Sequence, residues 1–434
     1  MRIILDQRLP RMVHHTIKMK IARASPASRK ITHMDRPPPT DTHHFTRPHR
    51  GIGPARGGFD ALGQLAFALG LLFCLLPAHV QAEAKFRPVS FKELPGWAED
   101  DLQGFGSAFS TNCGVMRLRA TAWARICKEA EALNVNDAQG LRQLVESRFT
   151  PHELTDNKGT RSGLITGYYE PLLRGSRTKS GAYQIPLYKT PKDLVNVDLS
   201  AIYPEIKSLR LRGKLEGNRV VPYPTRAEIE TKRLLAGQEL LWVDDPVEAF
   251  FLQVQGSGRV QLPSGETVRV GYAEQNGYPY RSIGRYLIDK GELKPNDASM
   301  QSIKAWVAAN PHRRDEVLHQ NPSVVFFKEI AALPAAQGPL GSMGLPLTAG
   351  RSAAVDPRFA SAGSLIFMST RVPKTGAPPK DPGVPFQRLM IAQDTGSAVQ
   401  GPHRSDIFFG TGSEAGEVAG RMRAEGRVFV LLPN

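Results

Sequence analysis

Apolar positions change rhythm along the chain. Between residues 95 and 150 they recur with a helical period, with Leu141, Leu144 and Val145 in register with Arg148 behind Asp137, a residue suited to cap a helix. From Leu164 onward the runs are short and strand-like. Leu240-Leu241-Trp242-Val243 and Phe250-Phe251-Leu252-Gln253-Val254-Gln255 read as strands, and Val260/Leu262 and Val268/Val270 flank Pro263-Ser264-Gly265-Glu266 as a hairpin. Two helices are predicted next, over 282–290 ahead of Gly291 and over 299–309 ahead of Asn310-Pro311. The loop-rich stretch 331–347 marks a boundary, after which short strands are predicted at 365–368, 389–393, 407–409 and 428–432. Many short β segments with few helices predict β-barrels rather than a βαβ sheet, and no internal repeat is present.

Composition adds limits. A chain of 434 residues that is 41% apolar and 22% charged has material for two ordinary globular cores. The net charge of +15 points to nucleic acid only until it is located. Residues 1–60 hold 12 Lys/Arg against 4 Asp/Glu and residues 61–82 hold none, which leaves +7 for residues 83–434. That excess suits an anionic polymer and suits a solvated surface equally, so nucleic acid is not an expected partner.

Residues 1–60, rich in Arg, His and Pro, read as a disordered basic preface, and Met34 or a later codon is an alternative start. Within 61–82, the apolar run from Leu65 to Leu76 is shorter than the ~20 residues that span a bilayer. With small Val80 and Ala82 ahead of Glu83 it matches a cleaved secretory signal, an uncleaved anchor being the alternative, which predicts a periplasmic protein. Bulky Phe73 argues against acylation of Cys74. The remaining pair, Cys113 and Cys127, permits a disulfide worth roughly 3 kcal/mol in the chain-entropy model, the alternative being two reduced buried thiols. No spacing suggests a zinc site, phosphate loop or dinucleotide fingerprint, so no cofactor is expected.

Candidate chemistry lies in three aspartates: Asp356 in Ala353-Ala354-Val355-Asp356-Pro357-Arg358, Asp394 at the end of Leu389-Met390-Ile391-Ala392-Gln393, and Asp406 before Ile407-Phe408-Phe409-Gly410. A carboxylate desolvated at a strand end can give and take protons near neutral pH; each alone is equally a turn cap. Three clusters join aromatic and amide groups: Gly167-Tyr168-Tyr169-Glu170-Pro171, Gln253-Val254-Gln255-Gly256-Ser257-Gly258 and Asn276-Gly277-Tyr278-Pro279-Tyr280-Arg281-Ser282. Sugars call for that mixture, since rings stack on C–H patches while amides and Arg satisfy hydroxyls; ordinary core tyrosines are the alternative. Glu170 is a candidate acid, though Pro171 beside it reads equally as a turn.

With these motifs, together with Tyr223-Pro224-Thr225-Arg226-Ala227-Glu228-Ile229, Tyr280-Arg281-Ser282-Ile283-Gly284 and Asn321-Pro322-Ser323-Val324-Val325-Phe326-Phe327, the chain from about Thr166 resembles the membrane-bound lytic murein transglycosylase A family. The resemblance implies a mainly β protein. Its double-psi β-barrel would be formed by both chain ends (83–171, with N-terminal helices, and 331–434), with a β-rich domain (172–330) inserted and a glycan groove between them. It implies Asp406 as the catalytic residue, Asp394 and Asp356 lining the same pocket, and Tyr168, Tyr169, Gln253, Gln255, Ser257, Tyr280 and Arg281 as substrate contacts. Peptidoglycan glycan strands would be the partner, alongside the wall synthesis and hydrolysis machinery, for a monomer associated with the outer membrane. Three departures stand out: Gly396-Ser397 for the usual Gly-Gly, Gln400-Gly401 for Lys-Gly, and Phe359-Ala360-Ser361-Ala362-Gly363 for a proline-rich turn.

The implied reaction uses one carboxyl group. It protonates the oxygen between MurNAc and GlcNAc, then accepts the proton of the sugar's own C6 hydroxyl as a 1,6-anhydro ring closes. The tethered nucleophile replaces the second carboxylate of a hydrolase. Asp406 must then start protonated, with burial against Phe408 or Phe409 and repulsion from Asp394 as the available levers. An inverting hydrolase with Asp394 as base is the rival, and a non-catalytic peptidoglycan-binding protein is a second.

Overall fold

Residues 84–434, apart from 207–210, 296, 331–332, 377–380 and 397, are described by a computed structural model. The basic preface and the apolar run with Cys74 lie outside the described residues. Strands β1 (Ala84–Pro88), β2 (Phe149–Asp156) and β3 (Gly163–Glu170) come first. The intervening segment supplies β4 (Leu172–Ser176), β5 (Ile185–Tyr188), β6 (Val195–Val197), β7 (Leu211–Glu216), β8 (Arg219–Val221), β9 (Glu239–Val243), β10 (Ser257–Gln261), β11 (Thr267–Gln275) and β12 (Val325–Glu329). The last part of the chain gives β13 (Ser352–Val355), β14 (Leu365–Val372), β15 (Val384–Asp394), β16 (Ser405–Thr411) and β17 (Arg423–Pro433).

The expected barrel is formed. Its strands run β17-β14-β15-β13-β16-β3, and a further β3–β17 pairing closes the ring of six. Pairs β13–β15 and β16–β3 are parallel and the others antiparallel. Strand β17 divides one edge between two partners: Arg423–Gly426 pair with β3, and Phe429–Pro433 pair with β2, which carries β1 outside the ring.

Alternation along the strands makes two cores. Ile165, Val355, Ile366, Met368, Met390, Ile407 and Val430 cluster on one face, and the alternating Leu365, Phe367, Leu389, Ile391, Phe429 and Leu431 form the other. Helices Phe105–Met116, Thr121–Glu131 and Ala138–Arg148 cover the second face with Phe105, Phe109, Trp123, Ile126 and Val145. Burying each such side chain contributes about 1.5–3 kcal/mol. Asp137 caps the third helix through the Gly140 amide at 2.9 Å, and Cys113 and Cys127 join the first two with a Cα–Cα separation of 5.5 Å.

The intervening segment folds into a sheet ordered β12-β11-β10-β4-β9-β5 and a small one ordered β6-β7-β8. One prediction fails here: the run Phe250 to Gln255 belongs to a helix, Pro246–Gln255. Asp245 accepts from the amides of Val247 (2.7 Å) and Glu248 (3.1 Å), and Pro246 occupies the first turn, where it loses no hydrogen bond. The helix looks strand-like in sequence because it is buried on two sides, Phe250 and Phe251 in one cluster and Ala249 and Leu252 in another. Among the described residues, no helix is long and apolar enough to cross a membrane.

A buried ion pair ties the N-terminal segment to the barrel. Arg351, 1% exposed, holds both oxygens of Asp100 at 2.8 Å and also donates to the carbonyls of Gln103 (2.8 Å) and Leu389 (2.9 Å). Asp100 also accepts the amides of Leu102 (3.1 Å) and Leu389 (2.7 Å), so the pair is fully satisfied. Removing one partner strands the other in the interior. Arg351→Met should therefore cost about 3–5 kcal/mol in urea unfolding. A loss below about 1 kcal/mol would mean that the pair does not anchor this segment.

Candidate active site

Two of the three aspartates meet in one row of the barrel. On β13, Ala354 is level with Asp394 of β15 and with Asp406 of β16, and Asp406 is level with Thr166 of β3. Strands spaced about 4.8 Å apart put the two aspartate Cα atoms roughly 10 Å from each other. Asp394 reaches this row through a register shift. Ala353 is level with Ala392, so regular pairing would set Ala354 against Gln393; the bulge skips one residue and brings in Asp394 instead. Gln393 turns inward, where its Oε1 accepts from Ser352 at 2.5 Å.

Asp394, Ala354 and Asp406 of this row form part of the wall of a cleft of about 610 Å³ between the barrel and the intervening sheet. Asp406 is 4% exposed, and its Oδ1 takes hydrogen bonds from the Thr166 hydroxyl and the Arg404 guanidinium. Arg404 also donates to Thr166 Oγ1 at 2.9 Å and to the carbonyls of Ser405 (2.8 Å) and Leu164 (3.2 Å). Phe408, Phe409 and Asp394 were the neighbours expected to act on Asp406, whereas the charge in direct contact is Arg404.

Burial pushes the Asp394 carboxyl above the ordinary carboxylate range, against the amides of Thr395 and Ser342, each at 2.9 Å, and with the Asp406 charge adding to the rise. Burial also raises Tyr168 well above the usual phenol range, reinforced by Asp394 and Asp406. The Tyr168 hydroxyl is buried without a partner at ordinary hydrogen-bond geometry, on the same wall.

Asp356 departs from expectation, because it is absent from the cleft wall. Burial alone would raise it, but hydrogen bonds from Arg358 Nε (2.9 Å) and the Gly401 amide (2.7 Å) hold it below the ordinary range. Pro357 and Arg358 follow it directly, so the side chain closes a local turn and holds the Gly401 amide.

The expected sugar contacts also divide. Gln253, Gln255, Ser257 and Tyr280 line the cleft with Tyr168. Gln253 accepts from Arg226 (2.7 Å) and the Val325 amide (3.1 Å), and Gln255 accepts from the Tyr169 amide (3.2 Å). Burial raises the Tyr280 phenol, whose hydroxyl has no partner at ordinary geometry. Gly256, at φ 82°, ends the helix and turns the chain into β10. The side chain of Tyr169 packs into the apolar cluster with Phe250 and Met300, and exposed Arg281 lies outside the wall, its amide donating to Asn321 at 3.1 Å.

Several residues at the site were not predicted from sequence. Arg404 had a signal, since it precedes Asp406 by two positions and thus falls on the same side of an extended chain. Thr166 had none, because it meets Asp406 across 240 positions. Glu170, weighed as an acid, is 1% exposed and held by Arg259 at 2.7 Å and the Thr411 hydroxyl at 2.8 Å. Arg226, buried in the cleft wall over the Phe250 ring, fixes Gln253. Among the described residues, no group of three or more His, Cys, Asp or Glu side chains could hold a metal.

Two family models match the chain: the MltA specific insert domain over residues 164–328 and the 3D domain over residues 351–432. Membrane-bound lytic murein transglycosylase A of Escherichia coli strain K12 is 35% identical over 281 residues, covering 64% of this chain and 67% of that protein. The solved structure of the lytic transglycosylase LtgG of Burkholderia pseudomallei is 43% identical, covering 82% of this chain and 98% of that one with a TM-score of 0.56. Escherichia coli MltA with bound chitohexaose is 26% identical, covering 82% of this chain and 93% of that one with a TM-score of 0.59.

The placement of Asp356 generates a prediction. Asp356→Asn should lower stability by about 1–2 kcal/mol, discounted for the exposed Arg358, while kcat falls less than about 10-fold. Because the folded-state carboxyl is held down, its contribution is present above the ordinary aspartate range and is lost as pH falls through the folded value. The gap between wild type and variant in thermal unfolding should accordingly close below about pH 4.

Proposed function

Because the chain belongs to the membrane-bound lytic murein transglycosylase A family, we propose that it is a peptidoglycan lytic transglycosylase in which Asp406 acts first as acid and then as base. Its substrate is the glycan strand, cut at the MurNAc-β-1,4-GlcNAc bond to leave 1,6-anhydroMurNAc ends. The observation that carries this reading is the row Asp394–Ala354–Asp406–Thr166 along a cleft rich in tyrosines and amides. A relative that binds chitohexaose supports a β-1,4-linked sugar chain as occupant.

Asp406 gives its proton to the glycosidic oxygen as the C1–O bond breaks. The C6 hydroxyl of the same sugar then attacks C1 and returns its proton to the carboxylate. Holding that hydroxyl on the reacting ring supplies the effective molarity that bound water would otherwise have to provide. Asp394 suits a supporting role, since one of its carboxyl oxygens is already held by the amides of Ser342 and Thr395. Rings and amides from both sides of the cleft hold neighbouring sugars. The names of the relatives support association with the cell envelope, and the secretory pattern before Glu83 makes the periplasm the proposed compartment.

Incubation with purified sacculi, followed by mass spectrometry, tests the reaction. Released fragments should be one water lighter than hydrolysis products, and Asp406→Asn should bind glycan yet lose at least about 100-fold in kcat. Activity of that variant within a few-fold of wild type would remove Asp406 from the chemistry.

Asp394→Asn separates the two mechanisms. The variant should keep producing anhydro fragments at a rate reduced no more than about 100-fold. A well-folded but inactive variant, together with wild-type products that carry added water, would establish a hydrolase.

A further inference from the structure

Asp406 has two oxygens, and its surroundings treat them differently. Oδ1 receives two donors, the Thr166 hydroxyl from β3 and a guanidinium nitrogen of Arg404. The donors are themselves linked, since Arg404 Nη2 donates to Thr166 Oγ1 at 2.9 Å. That bond occupies an acceptor position on the threonine oxygen and directs its single proton toward Asp406. Arg404 is fixed in turn by the carbonyls of Ser405 and Leu164, so it is braced against both strands flanking the β16–β3 pairing. Oδ2 takes no hydrogen bond from any described residue.

The geometry points to Arg404 and Thr166 as a positioning pair that reserves Oδ1 as an acceptor and makes Oδ2 the oxygen that carries the proton to and from the sugar. This inference rests on the transglycosylase reading above. An oxygen already accepting a guanidinium N–H and a hydroxyl O–H could carry a proton only by giving up one of them, so the proton resides on the other oxygen. The proton leaves Oδ2 for the glycosidic oxygen as C1–O breaks, and the C6 hydroxyl proton returns to Oδ2 as O6–C1 forms. No other atom is gained or lost. Throughout the cycle Arg404 and Thr166 keep the carboxyl plane fixed, so that protonated and ionised forms present the same oxygen to the cleft. Neither residue touches substrate in this role.

Thr166→Val keeps the side-chain shape and removes one donor. Its kcat on sacculi should fall about 10-fold or more, with KM within about two-fold of wild type, because a misaimed acid costs turnover rather than binding. Thr166→Ser keeps the hydroxyl and should restore kcat to within about three-fold of wild type. Arg404→Lys loses the fork that bridges Asp406 and Thr166, so its kcat should fall about 10-fold or more with KM within about two-fold of wild type. A merely structural role would lower the folded fraction of the variants and would not separate Thr166→Ser from Thr166→Val. The positioning role is overturned if Thr166→Val retains kcat within about two-fold, or if Thr166→Ser is as slow as Thr166→Val. Wild-type protein that releases no anhydro fragments would instead bring down the functional reading, and the positioning role with it.

Discussion

Everything at the site depends on β3 pairing along both edges. One edge lies parallel to β16 and the other antiparallel to the first residues of β17. Hydrogen bonding on both sides completes the ring, leaves the barrel without a free edge and sets Thr166 level with Asp406. It also fixes where the intervening segment starts, because Glu170 ends β3 and Leu172 begins the second sheet. A slip of β3 by one residue would exchange Thr166 for Ile165 or Gly167 beside the aspartate and turn the buried Ile165 outward.

The cleft keeps its shape because two arginines of the second sheet fix the segment beside it. Arg259 neutralises Glu170 and donates to the carbonyls of Ala335 and Gln337. Arg269, from the neighbouring strand, donates to the carbonyls of Pro334, Ala335, Gln337 and Gly338. Two guanidiniums of the second sheet thus grip the stretch that returns toward β13, where hydrogen bonds from charged donors are each worth about 1.5–3 kcal/mol. Asn276 acts similarly on the far side, tying Pro224, Pro322 and Val324 together at 2.9 Å each.

Where a signal was local, the sequence was legible. The β10–β11 hairpin, the Ser282 and Ser299 helix starts and the four late strands all follow from turn residues, caps and alternation within a few positions. The Phe250 run misled because burial on both sides erases period, although Asp245-Pro246 carried the helix start. The same kind of cue, the capping box of Thr225 and Glu228, begins a short helix Arg226–Lys232 inside a motif read only for resemblance. Asp406 and Asp394 were legible as candidates and both lie on the cleft wall, yet Asp356 shared their appearance while closing a turn. What no local pattern could reveal is which residues face one another across the ring: a register shift at Gln393 and a partner 240 positions from Asp406 exist only once the barrel closes.

The division of β17 between β3 and β2 has a consequence during biosynthesis. The ribosome makes β3 and its half of the site early, but the strand that seals the ring emerges after all the other barrel strands. Until then the edge of β3 is open and the carboxyl row has no finished wall behind it. The ring therefore depends on the last strand of the chain, whose two halves join β3 and β2. A chain ending before Arg423 would lose the β3–β17 and β2–β17 pairings together, leaving both the ring and its outer strands unsealed.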